Sequence, residues 1–90
     1  MIQSVVPYRV EIDAPALKQL AKLDRQIRDR IRLAIRTLAD NPRPPGCKLL
    51  IGRPGYRIKV GKDWRVIYTV NDGVALVLVI ELGHRREIYR

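Results

Sequence analysis

Three runs of strand-forming residues, 56–60, 64–70 and 74–82, follow one another with only three residues between each. Connections this short, Gly61-Lys62-Asp63 and Asn71-Asp72-Gly73, cannot carry the crossover of a dozen or more residues that parallel neighbours need. The runs therefore predict two successive antiparallel hairpins. The third run is almost continuously apolar, which predicts a central strand covered on both faces. In the simplest register Val60 faces Trp64. Lys59 then faces Arg65, and Arg57 faces Ile67.

The first half of the chain reads differently. Residues 8–12 alternate Tyr, Val and Ile with Arg9 and Glu11, the period of a half-buried strand. Asp13 offers an N-cap carboxylate, and Pro15 sits where a first helical turn tolerates it. Leu17, Leu20 and Ala21 make one apolar stripe, predicting a helix to about residue 23, with Asp24 as the N-cap of the next. Ile27, Ile31, Ala34, Ile35 and Leu38 then recur at helical spacing. Arg28, Arg32 and Arg36 form a separate ridge, either a solvated face or a contact surface for RNA or an acidic partner. Asp40-Asn41-Pro42 ends this helix, because the residue before proline is pushed out of the helical region. Residues 41–47, NPRPPGC, form a stiff loop, residues 48–51 pair briefly, and Gly52-Arg53-Pro54-Gly55 turns the chain. The order strand, helix, helix, three strands predicts one α+β domain over residues 1–90, with a mainly antiparallel sheet and both helices on one face.

Charge narrows the function. The 90 residues hold 18 Lys and Arg against 9 Asp and Glu, a formal charge of +9. Residues 42–90, the strand-rich part, contribute +6 of it, which points to a polyanion, most often nucleic acid. One cysteine, Cys47, cannot form an intrachain disulfide, and with one histidine, His84, it supplies no zinc site. The N-terminus lacks the basic and apolar segments of a signal peptide. The apolar run 74–80 is far shorter than the roughly 18 residues of a membrane span. A soluble, cytoplasmic protein without membrane contact is expected.

The hairpin carries the chemistry. Lys59 opposite Arg65 would set two cations roughly 5 Å apart at Cβ, which destabilises a sheet unless an anion lies between them; the alternative is that both side chains splay into solvent. The closing segment, Gly83-His84-Arg85-Arg86-Glu87-Ile88-Tyr89-Arg90, adds arginines able to hold a phosphate bidentately and a tyrosine able to stack on a base. Tyr56 and Tyr68 alternate onto the opposite face and read as core. Trp64 reads as a packing anchor and Glu81 as a solvated strand end.

With YRIKVGKDWRVIYTV, the closing GHRREIY, the NPRPPGCKLL loop and LAKLD in the first helical stretch, the chain resembles the RelE toxins of the RelE/ParE toxin–antitoxin superfamily. The resemblance implies a fold similar to small microbial ribonucleases and ribosome-dependent cleavage of messenger RNA in the A site, without a cofactor. It implies a RelB-like antitoxin, and binding of operator DNA by the toxin–antitoxin complex through that antitoxin. Residue by residue, the family's active-site positions match Arg57, Lys59, Arg65, Arg85 and Tyr89. Lys59, Arg65, Arg85 and Tyr89 are the expected catalytic groups, and Arg57, together with the neighbouring His84 and Arg86, is expected about the substrate. Arg57 stands where some relatives have lysine, and an arginine that never gives up its proton binds phosphate rather than accepting a proton. The chain also ends at Arg90, without the further C-terminal helix of some relatives. The expected reaction is attack of the RNA 2′-hydroxyl on the adjacent phosphorus, with the general base left open between Lys59 and His84. The rival expectation is a ParE-like toxin that poisons DNA gyrase without cleaving anything.

Overall fold

The computed structural model describes residues 7–84. The chain forms β1 (Arg9–Ile12), α1 (Ala14–Ala21), α2 (Arg25–Thr37), β2 (Lys48–Leu49), β3 (Tyr56–Val60), β4 (Trp64–Asn71) and β5 (Leu76–His84). The strands make one five-stranded sheet in the order β1-β5-β4-β3-β2. All pairs are antiparallel except β1 with β5. That is the α+β arrangement the element order predicts, and among the described residues no helix is long and apolar enough to cross a membrane.

The helices start and stop for local reasons. The Asp13 carboxylate accepts from the Ala14 amide at the head of α1, where Pro15 also sits. Asp24 does occupy the N-cap of α2, but its side chain makes no capping bond there. Helix α1 ends at Ala21, two residues before the predicted end. Burial follows the expected stripe: Ala16 and Leu20 of α1, with Ile31, Ile35 and then Leu38 of and after α2, are 4% exposed or less. They pack on Ile58, Val60, Val66, Tyr68, Val77, Val79 and Leu82 from one face of the sheet. Both helices therefore cover one face, and the other face of the sheet is left to function.

The strands depart from the sequence reading around β5. The middle of the sheet is β4, not β5, and β5 is buried mainly on the helix side: Val77, Val79 and Leu82 are buried while Leu76, Leu78 and Ile80 are only half-buried. Its apolar run looks continuous because the ladder with β4 is irregular between Ile67 and Tyr68, where Ile67 pairs with Glu81 but Tyr68 pairs with Val79. Ile80 is thus the extra residue of a bulge. Val74 and Ala75, predicted to be strand, lie in the turn instead; Val74 is exposed and Ala75 takes a φ of 51°. Beyond the bulge the Leu82 amide donates to Gln19 Oε1 of α1 at 2.9 Å, while the β1 ladder runs only from Leu76 to Val79.

Truncation at the helix–sheet seam should cost what a cavity costs. Ile31 is fully buried and Leu33, two residues on, is 60% exposed. Ile31→Ala is expected to lower the unfolding free energy by about 2–5 kcal/mol, and Leu33→Ala by less than about 0.5 kcal/mol, as read from urea denaturation.

Candidate active site

The period-2 geometry of a strand sends alternate residues to opposite faces. On β3 the apolar Ile58 and Val60 are buried against the helices, so Arg57 and Lys59 must emerge on the open face. Gly61, with a φ of 66°, supplies the left-handed position that closes the three-residue turn to β4. The resulting register pairs Val60 with Trp64, Lys59 with Arg65 and Arg57 with Ile67, each as the sequence predicts. Lys48 of β2 lies opposite Arg57 on the outer side. Four cations, Lys48, Arg57, Lys59 and Arg65, line one cleft of about 320 Å³ together with Gly46.

Arg65 is the least expected member. It lines the cleft yet is only 3% exposed, and its Nη1 donates to the Trp64 carbonyl at 3.1 Å. Arginine stays protonated when buried, so a permanent positive charge is set into the floor of the cleft, with exposed Lys59 directly across from it. Water shields a buried charge poorly. An anion entering this cleft meets donors already in place and charges whose desolvation was met in folding, the arrangement that stabilises developing negative charge.

A second cluster holds the rim. Arg43, from the proline-rich loop, donates through Nη1 and Nη2 to both carboxylate oxygens of Asp72 at 3.2 and 2.8 Å, and through Nε to the Tyr56 hydroxyl at 2.8 Å. Its guanidinium also lies 5.2 Å from the centre of the Tyr56 ring. The Tyr8 hydroxyl donates to the same Asp72 carboxylate. Tyr68, fully buried and stacked on Tyr56, donates to the Pro42 carbonyl at 2.7 Å, and burial pushes its phenol well above the usual range. Loop 41–47 is thereby tied to β3, β4 and the β4–β5 turn. That tie delivers Gly46 and Lys48 to the cleft. Neither Lys48 nor Arg43 stands out from the sequence alone; Arg43 lies within the NPRPPGC motif and Lys48 directly follows it, and Lys48 is found by pairing residues 48–51 against β3.

The other predicted residues divide. His84 lies opposite Trp64 with the rings edge to face at 5.3 Å, on the strand face that carries Val60 and Leu82. It does not enter the cationic cleft, because β5 turns Gly83 rather than His84 toward Arg65. Trp64 is half-buried against the core, as expected of a packing anchor. Glu81 is no strand end: it lies within β5 on the open face, opposite Ile67. Arg32 and Arg36 flank an apolar groove formed by Val10, Ile12, Leu17, Leu20 and Ile35 along the β1 edge, and Arg28 is not part of it. Arg85, Arg86 and Tyr89 lie outside the described residues.

Comparison with known proteins gives a consistent picture. The family model described as the ParE toxin of the type II toxin–antitoxin system parDE matches residues 10–89. The chain is 33% identical over 86 residues to the mRNA interferase toxin RelE of Escherichia coli strain K12, covering 91% of this chain and 90% of that one. A double-arginine mutant of E. coli toxin RelE in the free state superposes with a TM-score of 0.77 at 29% identity, covering 92% and 90%. The intact E. coli RelBE toxin–antitoxin complex gives a TM-score of 0.74 at 32% identity, covering 84% and 94%.

The rim cluster predicts a pH dependence. The Arg43 guanidinium, and then the Tyr8 hydroxyl, hold the Asp72 carboxyl below the usual carboxylate range. A carboxylate so depressed in the folded state contributes stability that is complete above its unfolded pKa and is lost as pH falls through its folded one. The melting temperature of Asp72→Asn should therefore lie below wild type near neutral pH, and the two should converge on acidification; the effect is small because the cluster is solvent-exposed.

Proposed function

Because this chain belongs to the RelE/ParE superfamily of type II toxins, as a RelE-type member, we propose that it is a metal-independent endoribonuclease that cuts messenger RNA in the ribosomal A site. The observation that carries this reading is the cleft in which Lys48, Arg57, Lys59 and Arg65 converge. The 2′-hydroxyl of one nucleotide attacks the adjacent phosphorus, and the phosphorane charge falls on Lys59 and Arg65 while Arg57 and Lys48 hold the chain. The products are a 2′,3′-cyclic phosphate and a 5′-hydroxyl. Arg85, beside the leaving oxygen, and Tyr89, stacking the target base, complete the set by their match to the family's positions, with Arg86 as a further phosphate contact. His84 is reassigned to supporting Trp64.

The partner is a RelB-like antitoxin, in keeping with the toxin–antitoxin complexes among the structural relatives. The groove between β1 and the two helices suits an amphipathic acidic segment: its floor is apolar and Arg32 and Arg36 stand at its edge. Operator DNA would be bound by the complex through the antitoxin. The ParE match of the family model keeps a second reading in view, a gyrase-binding toxin without nuclease activity; a cleft of four cations built around a buried arginine favours cleavage, since a protein-binding surface has no need of it.

The two readings separate on purified components. Programmed ribosomes should yield new mRNA 5′ ends within A-site codons, while naked mRNA is cut negligibly; comparable rates on both would sink the ribosome requirement, and gyrase inhibition without RNA cleavage would favour the ParE reading. Arg65→Ala, with its folding checked by thermal melting, should slow single-turnover cleavage about 10²–10³-fold. Arg32→Ala should leave saturated cleavage unchanged and weaken binding of an acidic partner or of RNA in a salt-dependent manner.

A further inference from the structure

The four cations of the cleft fall into two rows. Lys59 and Arg65 stand opposite each other across β3 and β4. Lys48 and Arg57 stand opposite each other across β2 and β3. Arg57 and Lys59 are two residues apart on one strand, so the rows lie about 6.5–7 Å from each other. An extended RNA strand places successive phosphates at a similar interval, one sugar apart. Like charges directly opposite each other weaken a sheet, and this sheet carries two such pairs side by side. A single anion in the cleft relieves one row; one phosphate for each row relieves both.

Lys48 is set in place from both sides. Just before it, the Cys47 amide donates to the Pro44 carbonyl at 3.0 Å, and just after it the Leu50 amide donates to the Gly55 carbonyl at 3.0 Å. The preceding loop is pinned through the Pro42 carbonyl to the buried Tyr68 hydroxyl. Lys48 itself is exposed. Among the described residues neither Lys48 nor Lys59 has a carboxylate partner; the ion pairs formed there engage Arg9, Arg43 and Arg53. Gly46 lines the cleft beside Lys48, and a Cβ at that position would meet nothing within 4 Å. The approach to Lys48 is therefore open.

We propose that the cleft holds two consecutive phosphates of the RNA strand: the scissile one over Lys59 and Arg65, and a flanking one at Lys48. This rests on the ribonuclease reading above and adds a second phosphate site to it. Arg57, beside Lys48 across the ladder and two residues from Lys59, stands within reach of both phosphates. Lys48 donates to a non-bridging oxygen of the flanking phosphate, a charge-assisted hydrogen bond. Contacts of this kind fix register without reading a base, so Lys48 sets which phosphate lies over Arg65. It takes no part in the proton transfers and is a binding residue.

Removing one phosphate charge at a time from short mRNAs on programmed ribosomes tests this. A methylphosphonate linkage replaces the phosphate on the 5′ or the 3′ side of the cleaved one, with a 2′-O-methyl sugar before it; the control strand carries the same sugar and an ordinary phosphate. At subsaturating toxin, wild type should cut one of the two neutral-linkage strands about tenfold more slowly than its control, the low end for a hydrogen bond to a charged group. Lys48→Ala, with its folding checked by thermal melting, should cut the control strand more slowly by a similar factor and lose nothing further on the neutral one. Lys48→Arg should keep most of the rate and the sensitivity to the neutral linkage. Equal cutting of neutral and control strands by wild type at both positions overturns the proposal. So does Lys48→Ala cutting the control strand at the wild-type rate, or a Lys48→Ala loss that adds in full to that of the neutral linkage. A wild type inert on programmed ribosomes with unmodified mRNA overturns the ribonuclease reading, and the second phosphate site with it.

Discussion

The β3–β4 hairpin register is the constraint on which the rest depends. One face of the pair must bury Ile58, Val60, Val66 and Tyr68 under the helices. Strand alternation then leaves Arg57, Lys59 and Arg65 no place but the open face. A slip of one residue would put three cations into the core and four large apolar groups into water. Hydrophobic burial, which is non-directional, thus assembles a charge cluster that Coulomb forces alone would scatter. Folding supplies the free energy that holds like charges together, and an anion can collect it on binding.

Around this hairpin, the neighbouring elements are tied by a few polar connections. Arg43 binds the proline-rich loop to Asp72 and Tyr56. Gln19 takes the Leu82 amide where the bulge has carried β5 away from β1. Arg53 bridges the β2–β3 turn to Glu81. These contacts contribute less to stability than the core does. Their effect is on position: they decide which side chains share the open face and at what spacing.

The sequence made the hairpin register, both helices, the Asp13 cap and the core role of Tyr68 legible, because each follows from a short-range rule. Alternation, helical spacing and turn length act within a few residues. What stayed illegible depends on residues far apart in the chain. The parallel pairing of β1 with β5 leaves no local signal. The bulge at Ile80 made an interrupted strand look like one covered on both faces, and shifted the phase that places His84 and Glu81. Arg43 and Lys48 were visible as basic residues in a proline-rich stretch, but their targets lie on other strands. From the sequence alone, Arg65 looks like any cation on the open face of a hairpin. Its burial is set by neighbours from several elements, which no single window of sequence contains.

The buried guanidinium at the floor of the cleft has one more consequence. Neither acidity within the physiological range nor ordinary ionic strength removes its charge from the cleft, because arginine keeps its proton and mobile ions screen a buried charge weakly. Such a cleft has no resting state of its own. A cell that carries it gains nothing from shifts in solution conditions and must rely on occupancy, with another molecule lying across the opening for as long as quiescence is wanted. Control then follows the lifetime of that cover, so whatever degrades or dilutes it sets the timing.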